Sequence, residues 1–181
     1  MRNSTFTILF LLIFLLYWYV SSTHQPVSQP SAPSVTTAPL VLGLQTKTFG
    51  CIVHDGLQDK SCTPGAIFPQ ATKEQICVVG YTKNVRNVPK NIKDQVFAEY
   101  GILTHTPGEY EVDHLIALEL GGSNDISNLW PEMANPKPGF HEKDMAENYL
   151  HEQVCSDAIT LQQAQQDISS NWLEVYKHIS N

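Results

Sequence analysis

The stretch from Tyr110 to Glu147, YEVDHLIALELGGSNDISNLWPEMANPKPGFHEKDMAE, collects the residue types that can do chemistry. Asp113 and His114 stand side by side in it. Gly121-Gly122 follows, then Asn128-Leu129, then His141-Glu142-Lys143-Asp144 at the opening of a helical stretch. An imidazole, with its ordinary pKa of about 6.5, can take a proton near neutral pH. Carboxylates beside imidazoles are donors for a divalent cation. Each residue alone has a plainer account: an Asp-His pair in a strand is commonly structural, Asn128 suits a turn, and His141 suits a helix start. Their ordered combination is what points to chemistry.

The elements that must position these groups are legible in part. Glu111–Leu120 reads as a strand through Val112, Leu115, Ile116 and Leu118, broken by Gly121-Gly122, and Asn128–Trp130 as a second short strand. Neighbouring strand residues point to opposite faces, so one strand does not aim Asp113 and His114 at the same atom. Phe140 to about Val154 follows Pro136, Pro138 and Gly139 as a helix. Ile92, Val96, Phe97 and Tyr100 give a helix over 90–100 that ends at Gly101. Leu161, Ala164, Ile168, Trp172, Val175 and Ile179 mark one face of a last helix, whose Gln-rich opposite face should be solvated. Residues 51–82 carry turn signals around a short expected strand, Ile76–Val79. Trp130 and Trp172 read as core.

Towards the N-terminus, Phe6–Val20 is almost wholly apolar and follows the single charge of Arg2. It would make a helix of roughly 22 Å, short of the about 30 Å bilayer core. It reads as the apolar region of a secretory signal, cut before Thr23, with an uncleaved anchor bearing Tyr17, Trp18 and Tyr19 at the interface as the alternative. Residues 1–22 are thus a signal peptide or signal anchor. Residues 23–48, with Pro26, Pro30, Pro33 and Pro39 among Ser and Thr, read as a linker. Residues 49–181 are the expected folded domain. The whole chain of 181 residues has 42% hydrophobic residues, enough for a core, so it is not disordered throughout. Its net charge of −7 excludes a histone-like or polybasic binder but not an enzyme with a local basic groove.

All four cysteines, Cys51, Cys62, Cys77 and Cys155, lie in the folded part. Export and an even count favour two disulfides, with three connectivities possible. The preferred one is Cys51–Cys62 with Cys77–Cys155. No CxxC pair exists and the spacings match no zinc knuckle, which disfavours a zinc–thiolate site. His105, His151 and His178 are given no role.

The order Asp-His, Gly-Gly six residues on, Asn-Leu, then a downstream His resembles the HNH nuclease family, with its ββα-metal fold. The wider segments CTPG at 62, ICVVGY at 76, VDHLIALELGG at 112 and NLWPE at 128 resemble small exported bacterial proteins with an HNH-like core. The resemblance implies an α+β fold: a small ββα-metal core among flanking helices and short strands, stabilised by disulfides. It implies that Asp113 is a metal ligand, His114 the general base, Asn128 a brace that holds the His114 imidazole, and His141 the second protein ligand. One divalent ion is implied, Mg²⁺ or Mn²⁺ first, with Zn²⁺, Ni²⁺ or Ca²⁺ as other occupants. Such an ion offsets phosphate charge and stabilises the leaving oxygen. Three departures are visible: the Cys frame that binds zinc in many members is missing, Met145 stands where some members carry a second helical His, and the stretch from Asn128 to His141 is long, with Pro136 and Pro138 between them.

Lys83, Arg86, Lys90 and Lys93 fall in a stretch with no acid from Gln75 to Ile92. With Lys143, which is placed to touch phosphate, they are the candidate nucleic-acid contacts. No base-reading motif is present, so little sequence specificity is expected. The sequence therefore reads as an exported, monomeric, metal-dependent endonuclease, periplasmic or secreted, acting on DNA and in second place RNA. The alternative is a non-catalytic exported binding module on the same scaffold, contacting an envelope partner. No membrane domain is expected beyond the N-terminal signal.

Overall fold

The computed structural model describes residues 42–181. The signal expected at 1–22 and the linker up to residue 41 lie outside them. Residues 42–48 were expected to belong to the linker, but they are fastened to the domain. The N–H groups of Thr46 and Lys47 donate to the Ser61 carbonyl at 2.9 and 3.1 Å. Lys47 pairs with Asp59 at 2.9 Å, and Leu42 packs on the core. The proline run ends at Pro39, and nothing in the composition beyond it resists packing.

The described residues form an α+β fold with a two-stranded antiparallel sheet and two disulfides. The short helices α1 (Lys73–Ile76) and α2 (Tyr81–Val85) lead into α3 (Lys90–Glu99). Strand β1 (Tyr110–His114) pairs with β2 (Leu129–Met133), and the two long helices α4 (Phe140–Cys155) and α5 (Leu161–Ile179) close the chain. Cys51 pairs with Cys62 and Cys77 with Cys155, the preferred connectivity. Among the described residues no helix is long and apolar enough to cross a membrane.

Ile76–Val79, expected as a strand, is instead the end of α1 and a turn. Gln75 reaches back to accept from the Thr72 N–H at 3.0 Å, which closes a capping box and starts the helix. Gly80, at φ 86°, then turns the chain into α2. Val78 and Val79 are left exposed, Val79 at 99%.

The sheet separates two cores. Opposed residues on paired strands share a face, so Asp113, Trp130, Glu111 and Glu132 lie on one side and Val112, His114 and Leu129 on the other. Trp130 joins the main core with Leu115, Ile116, Leu120, Leu150, Ile168 and Trp172. Val112 and Leu129 pack on Val96 of α3. Both tryptophans are buried, as expected. The Gln-rich face of α5 is not uniformly solvated: Gln165 is buried and donates to the Leu120 carbonyl at 2.8 Å. That bond satisfies an acceptor at the end of the turn Leu118–Leu120.

Candidate functional site

β1 ends where the site begins. After His114 the chain leaves the sheet, forms a 3₁₀ turn at Leu118–Leu120, and reverses at Gly121-Gly122. A Cβ on Gly122 would land on the Ile116 carbonyl, so no other residue fits there. The reversal sends the chain through a second 3₁₀ turn, Ile126–Asn128, into β2.

Asn128 ties this loop together. Its side chain is fully buried. Oδ1 accepts from the N–H of Ile116 at 3.0 Å and of Ala66 at 3.3 Å. Nδ2 donates to the carbonyls of Ile116 at 3.0 Å and Ser123 at 2.9 Å. Asn128 thus braces the backbone on both sides of the glycine turn without touching the His114 ring.

The ring's own partner is Asn124, which the sequence reading passed over. His114 Nε2 lies 3.2 Å from Asn124 Oδ1. The Asn124 amide is oriented by the backbone of the basic segment: Nδ2 donates to Val85 O at 2.8 Å, and Oδ1 accepts from the Asn87 N–H at 3.1 Å. An oxygen held this way requires His114 Nε2 to be the donor, which leaves Nδ1 with its lone pair. Burial pulls the His114 pKa down to about 4, against the opposing pull of Asp113 and Asn124, so the ring is neutral at physiological pH. It is 2% exposed.

Asp113 faces the other way, towards α4, as strand parity demands. Its Oδ2 accepts from Lys143 Nζ at 2.7 Å. Lys143 also donates to the His114 carbonyl at 2.8 Å and to Glu147 Oε1. Burial raises the Asp113 carboxyl, but the Lys143 ammonium outweighs this and holds it below its usual range. Burial raises Glu147. Glu132, behind Asp113, is 2% exposed, and burial together with the neighbouring carboxylates raises it well above normal. A side-chain hydrogen bond to Asp113, with the raised Glu132 carboxyl as donor, adds to the rise of Glu132 and helps to hold Asp113 low.

Lys143 was expected to touch phosphate, and the structure corrects this: its side chain is 0% exposed beneath Asp113. Its position on α4, on about two turns of buried face with Ala146, Glu147 and Leu150, turns it inward. The neighbouring positions face solvent: His141, against the Phe140 ring at 4.3 Å between centroids, and Asp144 are exposed. Asp144 is raised by partial burial and then by the charge of Asp113, with Lys143, His141 and Arg86 pulling the other way. Glu111 is raised by burial and by Asp113 and Asp144.

These shifts test the expected cation. The charge of Asp113 raises both the Glu111 and the Asp144 carboxyls, so negative charge gathers on this side of β1 and α4, but the donor atoms of Asp113, His141 and Asp144 are not brought within 4.8 Å of one another. Oxygen donors in mutual repulsion plus one imidazole fit a hard divalent ion by charge and type. One oxygen of Asp113 is already committed to Lys143. The one group of three metal-binding residue types found close together among the described residues lies elsewhere, at Cys77, His151 and Cys155.

Of the basic residues, Lys83, Arg86, Lys90 and Lys93 are all exposed. Lys90 is paired with Asp94 at 2.7 Å on the same helix. Arg86 acts electrostatically on His114, Asp144 and Glu111, and Lys93 on Glu111. Asn124, clamped between Val85 and Asn87, is the physical link between that basic segment and the imidazole.

No protein-family model matches the chain, and no curated protein or solved structure matches it either.

Proposed function

We propose that the protein is a metal-dependent endonuclease of the HNH type, hydrolysing DNA and in second place RNA with little sequence specificity. The observation that carries this reading is the orientation of His114. Asn124 takes its Nε2–H, leaves Nδ1 as a proton acceptor, and is itself held by the segment that bears Arg86. In this reading His114 Nδ1 accepts the proton of an attacking water, worth about 10²–10⁴ in rate. Asn128 keeps the loop from shifting under the ring. Asp113, His141 and Asp144 would hold the divalent ion, which when bound supplies charge neutralisation at the phosphate. Arg86, Lys83 and Lys93 would lie along the substrate backbone; Lys143 holds Asp113 and takes no part in substrate contact. The disulfides support an oxidising compartment, consistent with export.

Two observations favour the second reading, a non-catalytic binding module for an envelope partner. The His114 ring is nearly covered, and Asp113 is engaged by a buried ammonium. The deciding experiment is plasmid cleavage by the oxidised protein with Mg²⁺, Mn²⁺ or EDTA, beside His114→Ala. The nuclease reading expects metal-dependent cutting that disappears in a folded His114→Ala. Equal degradation by both proteins, or none by the folded wild type, overturns it.

A further inference from the structure

The disulfide Cys77–Cys155 has an imidazole against it that the proposed reaction does not use. His151 and Cys155 are one turn apart on α4, so they share a face. His151 Nε2 lies 3.4 Å from Cys155 Sγ and 3.1 Å from the Ile76 carbonyl. Ile76 ends α1 and Cys77 follows it as the capping residue, so the turn that offers the carbonyl also delivers the second sulfur. Ligand atoms of Cys77, His151 and Cys155 all lie within 4.8 Å of one another, and all three residues are partly exposed.

While the disulfide is closed, the sulfurs are not thiolates and do not serve as metal ligands. A dithiol reductant opens it: the S–S bond gains two electrons and two protons, giving two thiols, and the reductant closes into its own disulfide. Two thiols and one imidazole are then the donor set of a three-ligand zinc site with a fourth position for water. The dimensions agree. With Zn–S of about 2.3 Å and Zn–N of about 2.05 Å, a tetrahedral ion holds N and S about 3.6 Å apart and two sulfurs about 3.8 Å apart. The N···S separation is already 3.4 Å. The Cα atoms of the cysteines are 5.8 Å apart, so side-chain rotation suffices to part the sulfurs.

Two neighbouring features bear on the same junction. The ion pair Lys73–Asp157 joins the same two segments and does not depend on the disulfide. Glu119 Oε1 is buried with no hydrogen-bond partner among the described residues, and the nearby His151 imidazole pulls its carboxyl down against the raising effect of burial. A carboxylate there can accept the imidazole's other N–H and orient the ring towards an ion.

We propose that the reduced protein binds a thiophilic divalent cation, zinc foremost, through Cys77, His151 and Cys155. The ion displaces two thiol protons, takes His151 Nε2 from the Ile76 carbonyl, and joins α1 to α4 where the disulfide otherwise does. Zinc and the disulfide are alternative occupants of one junction, set by the redox state. This proposal is independent of the nuclease reading.

The test is titration of the full chain with Co²⁺ under nitrogen after reduction with a phosphine, beside the oxidised protein. The expected result is thiolate-to-cobalt charge-transfer absorption with tetrahedral d–d bands in the reduced protein only, lost when Zn²⁺ displaces the cobalt. Cys51→Ser/Cys62→Ser keeps the bands and Cys155→Ser loses them. His151→Gln, which leaves both disulfides able to form, weakens binding by about tenfold or more. Zn²⁺ raises the melting temperature of the reduced protein and leaves the oxidised one unchanged. The proposal is overturned by a reduced chain, folded or unfolded, that gives no charge-transfer band. It is equally overturned by bands that survive Cys155→Ser or are indifferent to His151→Gln.

Discussion

Replacing Lys143 by methionine tests the electrostatic centre of the domain. The ammonium has three hydrogens and three acceptors: Asp113 Oδ2 at 2.7 Å, the His114 carbonyl at 2.8 Å, and Glu147 Oε1. The side chain is 0% exposed, and those of Asp113 and Glu147 are 15% and 12% exposed. Methionine fills the volume but leaves a buried carbonyl without a donor, the Asp113 carboxylate without a counter-charge, and Glu147, which burial pushes up to about 8, without its hydrogen bond. Breaking a buried pair from one side costs about 3–5 kcal/mol, and the orphaned carbonyl lies within that range. At about 3 °C per kcal/mol for a domain of this size, the melting temperature should fall by roughly 10–15 °C. Urea unfolding of the oxidised protein at pH 7 reads the loss directly. The control is Lys143→Met combined with Asp113→Asn and Glu147→Gln, which removes the stranded charges and should recover most of it. A single variant within about 1 kcal/mol of wild type would refute the reasoning, because the cluster would then be solvated. So would a triple variant no better than the single one.

Further outcomes follow from the same geometry. Asn124→Ala should lower kcat far more than it raises KM in plasmid cleavage, since it frees the His114 ring without removing a phosphate contact; a change confined to KM would contradict the orienting role. Removing the Cys77–Cys155 disulfide should cost about 4.5 kcal/mol and removing Cys51–Cys62 about 2.8 kcal/mol by loop entropy, given sequence separations of 78 and 11; urea midpoints in the reverse order would count against this. Gly122→Ala should lose more than about 3 kcal/mol, the upper end of ordinary overpacking, because the added methyl lands on the Ile116 carbonyl; unchanged thermal unfolding would contradict it. At Asp59, burial raises the carboxyl, but Lys47 and the N–H groups of Ser61 and Ile52 outweigh burial and hold it below normal. Its stabilisation is therefore present above the unfolded-state value of about 3.9 and lost as pH falls through the folded one. The penalty of Asp59→Asn should be clear at pH 7 and shrink in acid, and equal penalties at both would refute the assignment.

The elements with strong periodic patterns were legible. α5 follows from apolar spacing, α4 from the Pro136, Pro138 and Gly139 that precede it, α3 from Ile92, Val96 and Phe97, and the disulfides from where the cysteines fall. What the pattern hid depends on single hydrogen bonds. Ile76–Val79 has strand composition, yet a capping box at Thr72 and Gln75 makes its first residue helical. Gln165 looks like a solvated glutamine until the Leu120 carbonyl needs a donor. The Leu120 carbonyl lies 45 residues from Gln165 and leaves no local signal, whereas the Thr72–Gln75 pair is local and is masked by the strand-like composition that follows it.

The candidate site divides along the same line, and strand parity explains how. His114 and Asp113 were legible as a pair, but a strand sends them to opposite faces, so each acquires partners from a different part of the chain. His114 meets Asn124, and through it the basic segment at Val85 and Asn87. Asp113 meets Lys143, whose i,i+4 spacing to Glu147 was the available sequence signal for an ion pair on one helical face. That signal ordinarily marks a solvated face. Here α4 turns it against the sheet, because Ala146, Leu150 and Val154 share its buried side. The exposed side of the same helix then carries His141 and Asp144, and the Asp144 carboxyl feels the opposing charges of Asp113 and Arg86. One helix thus fixes Asp113 from beneath with its buried lysine and presents the remaining candidate ligands from its edge. Any shift of α4 would move both together.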